Sequence, residues 1–233
     1  ARVSYGRMEK VSQLSQAGIV EHNEIYLNKS YPAIIPYHSR NKLDFFEVRK
    51  LSYRYPESEN GVQNISFLVP KGSFTVITGQ IGSGKTTLLR AIQGLIPIEG
   101  DILWNGKKIT NPDTFFKPPY SSYTPQVPTL FSNTIEKNLS MGMPIADKAM
   151  QRAVQLAIIE EDINQFDLKY KTLIGPKGVK LSGGQKQRLA AARMFTREAE
   201  LYILDDISSA LDIHTEQKLW QRVFQNQIGR AHV

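Results

Sequence analysis

The chain has 233 residues, 41% hydrophobic and 22% charged, which suits one large α/β domain or one domain with an appendage. It has no cysteine, which excludes disulfides and thiolate metal sites, and no apolar run of the about eighteen residues that a membrane span needs. The net charge of +7 raises nucleic acid and a membrane surface as partners, but the basic residues are scattered, so we expect a solvated surface and no nucleic-acid partner.

The first 43 residues divide into two stretches. Residues 1–18 carry apolar side chains at helical spacing, and residues 21–42 are polar and interrupted by Pro32 and Pro36. The sequence therefore predicts a helix and then a linker. Six Lys or Arg against three Asp or Glu suit the cytoplasmic side of a membrane about as well as they suit a solvated tail.

Three strands are predicted next. Residues 44–55 and 64–69 have strand character on either side of a turn-rich segment, which predicts a small antiparallel β layer. Residues 73–78 are rich in β-branched and aromatic side chains and predict a buried strand.

Residues 79–86 read Gly-Gln-Ile-Gly-Ser-Gly-Lys-Thr and fit the phosphate-loop pattern, with four residues between Gly79 and Gly84. Apolar residues then continue at helical spacing, at Leu88, Leu89, Ile92 and Leu95. A strand, a glycine-rich loop and a helix in this order predict a nucleotide site, in which Lys85 contacts the β- and γ-phosphates and Thr86 ligates Mg²⁺. The expected nucleotide-binding residues here are Gly79, Gln80, Ile81, Gly82, Ser83, Gly84, Lys85, Thr86 and Thr87.

Further along the chain, residues 100–105 predict a strand ending in an Asn-Gly turn, and residues 121–124 lead into Gln126. Residues from about 134 to 170 are helical in pattern. Residues 201–204 predict a central parallel strand that ends at Asp205 and Asp206. Ligand chemistry in α/β sheets lies at such strand ends, so we expect Asp205 to hold Mg²⁺ and Asp206 to orient or deprotonate an attacking water.

Residues 181–185 read Leu-Ser-Gly-Gly-Gln and precede a predicted helix. Ser182 is a good N-cap and the glycines expose backbone N–H groups, which alone indicates only another anion-binding turn. The order of phosphate loop, Gln126, Leu-Ser-Gly-Gly-Gln and strand-Asp-Asp resembles the ATP-binding cassette (ABC) transporter family, over about residues 44–224.

The resemblance implies an α/β fold: a P-loop NTPase (RecA-like) core with an N-terminal antiparallel β layer and an inserted helical subdomain. The ATP-binding domain would span 44–227 and the helical subdomain about 127–190. The implied cofactors are ATP and Mg²⁺.

The resemblance also assigns roles to single residues. Tyr55 would stack on adenine, or is otherwise a core tyrosine. Gln126 would reach Mg²⁺ and the attacking water, so that Lys85, Gln126 and Asp206 form the catalytic set. Ser182, Gly183, Gly184 and Gln185 would hold the γ-phosphate of an ATP bound by a second cassette in a head-to-tail homo- or heterodimer, and residues 209–212 would couple the two sites.

Two segments, 130–135 and 172–178, resemble those of exporter-type transporters, although Leu173 and Pro176 stand where acidic residues are frequent. The expected function is ATP-driven export of an unknown solute at the cytoplasmic face of a membrane. Residues 1–43 would then be the end of a transmembrane domain, in the same polypeptide, and its linker.

Most active cassettes carry glutamate where this chain has Asp206, which is one methylene shorter. A positioning error of that size can cost about a hundredfold in rate. We therefore expect slow hydrolysis at this site, as in the impaired half of an asymmetric pair. A non-hydrolysing nucleotide sensor and a soluble cassette ATPase of DNA repair or translation are the alternatives.

The family has a histidine about thirty residues past the Asp206 position, after another strand. His232 comes twenty-six residues past Asp206 without an apolar strand before it, so we assign it no role. Residues 228–233 resemble a translated sequencing adapter. We expect them to be a non-native tail on a chain that is truncated at its C-terminus and lacks one strand of the sheet.

Overall fold

The structure, a computed structural model, describes residues 42–56, 58, 60–175, 178–225 and 231–232. The helix and linker predicted within residues 1–41 lie outside the described residues. The regular elements, in chain order, are β1 (Phe45–Arg54), β2 (Gly61–Pro70), β3 (Ser73–Phe74), α1 (Lys85–Ile92), β4 (Glu99–Trp104), β5 (Lys107–Lys108), α2 (Pro112–Phe115), β6 (Ser121–Thr124), α3 (Ile135–Ser140), α4 (Asp147–Leu156), α5 (Glu160–Gln165), a 3₁₀ turn (Lys169–Lys171), α6 (Gly183–Phe195), β7 (Leu201–Leu204), a second 3₁₀ turn (Ile207–Ala210), α7 (Ile213–Gln225) and β8 (Ala231–His232).

The first sheet is antiparallel, in the order β2–β1–β4–β5, and confirms the predicted β layer. In β1 the buried side chains are Phe46 and Val48, two residues apart, and then Leu51, three further on. The pairing with β2 shifts register between Val48 and Leu51, so this irregularity returns Leu51 to the buried face. The predicted Asn-Gly turn is also confirmed, because Asn105 and Gly106, both with positive φ, join β4 to β5.

The second sheet is parallel, in the order β3–β8–β7–β6. One of its two middle strands, β7, is buried, as the apolar run predicted. The predicted buried strand over 73–78 is shorter than expected: β3 covers only Ser73–Phe74, and Phe74 is exposed. The reason is that its neighbour in the described chain, β8, offers only two residues for pairing. The expectation that the sheet lacks one strand is wrong for the described residues. The backbone of Ala231–His232 lies between β3 and β7 and pairs with both.

Strand β7 separates two hydrophobic clusters. Leu201 and Ile203 belong to the cluster formed with the antiparallel sheet and α1. Tyr202, on the opposite face of the strand, belongs to the cluster formed with α3 to α7. The predicted helical stretch is therefore confirmed as three short helices packed against α6, while the limits of a helical subdomain at 127–190 stay a prediction.

Helix α1 is one turn shorter than its apolar pattern indicated. Gly94, with φ of 69°, ends it: the Gly94 N–H donates to Ala91 O and the Leu95 N–H donates to Arg90 O. This is a Schellman motif, which stops the helix and turns the chain away. Leu95, expected on the apolar face, is instead exposed beyond the helix end. Among the described helices, none has the length and apolar character to cross a membrane.

Candidate functional site

The phosphate loop runs from the end of the segment after β3 into the N-terminus of α1. Gly82 and Gly84 have φ of 83° and 89°, a region that glycine adopts without steric cost. A Cβ on Gly84 would lie 2.7 Å from Gly61 O and 2.7 Å from Val62 Cγ1. The loop can therefore lie directly against the start of β2 only because position 84 lacks a side chain.

Lys85 lies over this loop. Its Nζ donates to Gly79 O and to Gln80 O, each at 2.9 Å. An ammonium group has three donors, so one remains for a phosphate oxygen. The positive charge is thus held beside the backbone amides at the start of α1, where an anion is favoured.

Thr86, in the first turn of α1, contacts Asp205, directly after β7. Thr86 Oγ1 donates to Asp205 Oδ1 at 3.0 Å. Asp205 is buried, and its own N–H donates to Thr124 O at 2.9 Å, which fixes it at the end of β7. A hydroxyl and a carboxylate side by side are oxygen ligands of the type Mg²⁺ prefers. Such a pair fits Mg²⁺ that takes its remaining ligands from nucleotide phosphates. Among the described residues, no group of three or more His, Cys, Asp or Glu side chains could hold a metal ion.

Tyr123 is a partner of Asp205 that the sequence did not point to. Its hydroxyl donates to Asp205 Oδ2 at 3.2 Å, so both carboxylate oxygens of Asp205 accept hydrogen bonds. Burial, and then the negative charge of Asp205, raise the pKa of Tyr123 to about 12. The contact between Tyr123 and Asp205 could have been expected if β6 and β7 had been predicted to pair in parallel. Neighbouring parallel strands end at the same edge of the sheet.

Gln126 and Asp206 also meet at this edge, where Gln126 Nε2 donates to Asp206 Oδ2 at 2.9 Å. Asp206 is exposed and adopts the left-handed conformation, φ 53° and ψ 50°, which aspartate tolerates better than most residues. The two side chains predicted to position water therefore form one hydrogen-bonded pair.

Gln187, one turn into α6, is a further residue that the sequence did not point to. Its Nε2 donates to Gln126 O at 3.1 Å and to Asp206 O at 3.3 Å. Nothing in the local pattern of the sequence distinguishes it from its exposed neighbour Lys186, since only the tertiary fold brings α6 against both strand ends.

Tyr55 lies beside α1, where its hydroxyl is 3.3 Å from Thr87 Oγ1. The ring is half-buried and makes an edge contact with Tyr53, with ring centroids 4.9 Å apart. Thr87 is buried and faces Tyr55, so the two residues connect β1 to the first turn of α1. These contacts fit the alternative of a core tyrosine, and the stacking of Tyr55 on adenine stays a prediction.

The residues of the Leu-Ser-Gly-Gly-Gln segment begin α6. Ser182 Oγ accepts from the Gln185 N–H and Gln185 Oε1 accepts from the Ser182 N–H, which forms a capping box. Gln185 Nε2 also donates to Asp162 Oδ1 of α5, and Asp162 Oδ2 accepts from Arg188. The side chains of this segment therefore bond to one another and to α5. The other predicted site residues lie elsewhere, at the phosphate loop and the ends of β6 and β7: Lys85, Thr86, Gln126, Asp205 and Asp206.

The two exporter-like segments contact each other. Thr134 pairs with Leu173 in an antiparallel bridge, and the Ile174 N–H donates to Asn133 O at 3.0 Å. Pro176 lies outside the described residues. A cavity of about 1150 Å³ lies elsewhere, between the segment after β5 and the C-terminal half of α6; Tyr123 lines it, but no site residue predicted from the sequence does.

Comparison with known proteins gives one family. The family model described as ABC transporter matches residues 62–209. The chain is 38% identical over 184 residues to the probable multidrug resistance ABC transporter ATP-binding/permease protein YheI of Bacillus subtilis, covering 78% of this chain and 32% of that protein. It is 35% identical over 195 residues to the multidrug resistance-like ATP-binding protein MdlA of Escherichia coli, covering 82% of this chain and 32% of that protein.

A solved structure agrees with these relatives. A bacterial Atm1-family ABC exporter with ATP bound superimposes with a TM-score of 0.73 and 28% sequence identity, covering 86% of this chain and 35% of that chain. The chain therefore spans about a third of the length of these relatives.

Proposed function

The chain belongs to the ABC transporter family, and from this we propose that it is the ATP-binding and ATP-hydrolysing domain that powers export of a solute across a membrane. The observation that carries the proposal is the 3.0 Å hydrogen bond between Thr86 and Asp205. It joins the phosphate loop to the carboxyl end of β7, where a nucleotide triphosphate and its Mg²⁺ need oxygen ligands.

The residues around this bond divide the chemistry among them. Lys85 and the amides at the start of α1 stabilise the negative charge that the phosphoryl group carries in the transition state. Thr86 and Asp205 would hold Mg²⁺, which when bound neutralises charge on the phosphate oxygens. Asp206 accepts a proton from, or orients, the attacking water, and Gln126 holds the Asp206 carboxylate in place.

A second cassette is the proposed partner of the α6 N-terminus. Ser182, Gly183, Gly184 and Gln185 would contact the γ-phosphate of an ATP held by that partner in a head-to-tail homo- or heterodimer. The arrangement of the segment supports this, since a Cβ on Gly183 would meet no atom within 4 Å, so the end of α6 faces open space. Its side chains are occupied with capping, which leaves the helix dipole and backbone amides to attract an anion.

A transmembrane domain in the same polypeptide is the second proposed partner, which would place this domain at the cytoplasmic face of a membrane. The name of one relative, an ATP-binding/permease protein, and the exporter structure support the proposal. Closure of two cassettes around ATP would draw the attached helices together, and hydrolysis would release them.

The presence of aspartate rather than glutamate at position 206 is the argument for slow hydrolysis at this site. The aspartate side chain is shorter by one methylene, and its carboxylate is hydrogen-bonded to Gln126. We therefore propose that this site binds ATP and turns it over slowly, with the faster hydrolysis occurring at a partner's site that Ser182–Gln185 would complete. A non-hydrolysing nucleotide sensor is the limiting case, in which aspartate at position 206 supports no hydrolysis at this site.

The test uses the complete polypeptide that carries this sequence, assembled with its partner in membranes. Lys85→Ala should weaken the affinity for a fluorescent ATP analogue by about ten- to a hundredfold, as expected for the loss of a charge-assisted hydrogen bond. Lys107→Ala, at the exposed β4–β5 turn, is the matched control and should leave affinity unchanged. Unchanged affinity in Lys85→Ala, or release of the polypeptide from membranes by alkaline carbonate, would contradict the proposal.

A further inference from the structure

Gln187 occupies a position between the two strand ends that carry Gln126 and Asp206. The residue is 3% exposed, and its side-chain amide nitrogen donates to the main-chain carbonyls of both residues, at 3.1 and 3.3 Å. These are the two residues whose side chains form a hydrogen-bonded pair and are proposed to position the attacking water. A single side chain therefore holds the backbone on both sides of the pair.

Packing alone does not account for a glutamine here. Its Oε1 is buried without a hydrogen-bond partner among the described residues. A buried unsatisfied polar atom costs free energy that an apolar side chain of the same shape would avoid. The amide contributes two directional hydrogen bonds, which an apolar side chain could not make. These bonds fix the two carbonyl groups relative to α6.

The sheet itself does not hold these two residues together. The ladder between β6 and β7 ends at the pair Thr124 and Leu204, so Gln126 and Asp206 both lie beyond the last paired residues. The carbonyl of Asp206 accepts a second hydrogen bond, from Ser209 Oγ at 3.1 Å. Gln187 thus brings α6 into contact with Gln126, Asp206 and, through the Asp206 carbonyl, the turn at Ser209.

We propose that Gln187 is a positioning residue that couples the N-terminal end of α6 to the pair Gln126 and Asp206. Helix α6 is continuous over 13 residues, and Gln187 lies two residues after Gln185 and five after Ser182. A shift of the helix when its N-terminus engages the partner's nucleotide therefore moves both carbonyls together. Engagement of one ATP would in this way set the geometry for hydrolysis of the other. This inference rests on the proposed function.

The test is Gln187→Met, which keeps the length of the side chain and removes both N–H donors. In the complete assembled protein, the dissociation constant for ATP should stay within twofold of the unmodified protein, while the single-turnover rate of hydrolysis at this site falls about tenfold. Gln187→Leu, a second apolar variant that also lacks both N–H donors, should behave alike if Gln187→Met fails to assemble. Gln155→Met, an exposed glutamine of α4, is the matched control and should change neither quantity.

A second measurement separates positioning from a general structural role. If Gln187 acts through the pair, then adding Gln187→Met to Gln126→Ala should lower the rate by less than threefold, because the variants remove the same arrangement. Multiplication of the two single effects in the double variant, an unchanged rate in Gln187→Met alone, or a loss of ATP affinity in Gln187→Met that parallels its loss of rate would each overturn the inference. Failure of the proposed function would show differently, as absence of ATP binding in the unmodified protein.

Discussion

Gln126 and Asp206 are hydrogen-bonded to each other, Nε2 to Oδ2 at 2.9 Å, although eighty positions separate them in the chain. Parallel pairing of β6 with β7, in register from Ser121 with Leu201 to Thr124 with Leu204, brings them together. Asp206 is therefore oriented by its hydrogen bond with Gln126. Its carboxylate points along the edge of the sheet toward Gln126.

Asp206→Glu should raise the rate of ATP hydrolysis at this site. One added methylene extends the carboxylate beyond the contact with Gln126, and correcting a displacement of that size is worth up to about a hundredfold. The measurement is single-turnover hydrolysis by the complete assembled protein. Asp206→Asn, which keeps the size of the side chain but removes the base, is the control and should lower the rate. A rate that does not rise in Asp206→Glu would contradict an impaired base.

The same variant should carry a cost in stability. Asp206 has φ of 53°, and glutamate is less tolerant of that region than aspartate. We expect the free energy of unfolding of Asp206→Glu to fall by about 1 kcal/mol. Opposite changes in hydrolysis rate and stability would identify Asp206 as a residue whose backbone geometry suits the shorter side chain.

How much the sequence predicts depends on whether a residue's environment is local. The phosphate loop, the Asn105–Gly106 turn and the N-cap at Ser182 depend on a few neighbouring residues, and the structure has these turns and this cap. Thr86 and Asp205 also follow from the motif order, since each stands at a fixed point on its own element.

The side chains that the sequence missed depend on elements distant in the chain. Tyr123 reaches Asp205 only through the parallel pairing of β6 with β7, and Gln187 reaches two carbonyls only because α6 packs over both strand ends. The length of β3 was missed for a similar reason, because a strand is limited by its partner rather than by its own β-branched residues.

Tyr123→Phe should change how stability depends on pH. Burial and the charge of Asp205 raise the pKa of Tyr123 to about 12, above its usual value of 10.0 in an unfolded chain. The stabilisation that comes from the protonated phenol is fully present below pH about 10 and is lost as pH rises from about 10 to 12. The stability advantage over Tyr123→Phe should therefore shrink across that window, by on the order of 1 kcal/mol after allowance for partial exposure.

Urea unfolding at several pH values between about 9 and 12 measures this difference. Absorbance titration provides the control, since Tyr123→Phe should lose one phenolate that forms near pH 12 in the unmodified protein. A constant difference in stability across the window would show that the pKa of Tyr123 is not raised by folding.

Asp162→Ala should destabilise the start of α6. Asp162 accepts from Gln185 Nε2 at 2.9 Å and from Arg188 Nη2 at 2.8 Å, and the side chains of Arg188 and Asp162 are only 15% and 20% exposed. Its removal leaves a largely buried guanidinium without this partner, which should cost about 2 kcal/mol in the free energy of unfolding.

Asp101→Ala is the matched control for that variant. The pair of Lys108 with Asp101 is 61% and 42% exposed, so its loss should cost less than about 0.5 kcal/mol. Both variants are compared by urea unfolding of the complete polypeptide. Equal costs would show that the Asp162 pair is screened as a surface pair is, and that α6 does not depend on it.

Gly84→Ala and Gly82→Ala form a pair that separates backbone strain from contact in the phosphate loop. Both positions have positive φ, 89° and 83°, so an alanine at either should cost about 1–2 kcal/mol in strain. They differ in surroundings, because a Cβ at Gly82 meets nothing within 4 Å, whereas one at Gly84 lies 2.7 Å from the backbone oxygen of Gly61. Backbone cannot move aside as a flexible side chain can, so Gly84→Ala carries a further cost of about 1–3 kcal/mol.

We therefore expect Gly84→Ala to unfold at lower urea concentration than Gly82→Ala, and to bind a fluorescent ATP analogue more weakly, because relief of the contact displaces the loop from β2 and with it Lys85 and Thr86. Gly82→Ala, which keeps the loop seated, should retain most of that affinity. Equal loss of stability in the two variants would show that conformational freedom, rather than the close approach to Gly61, is what position 84 requires.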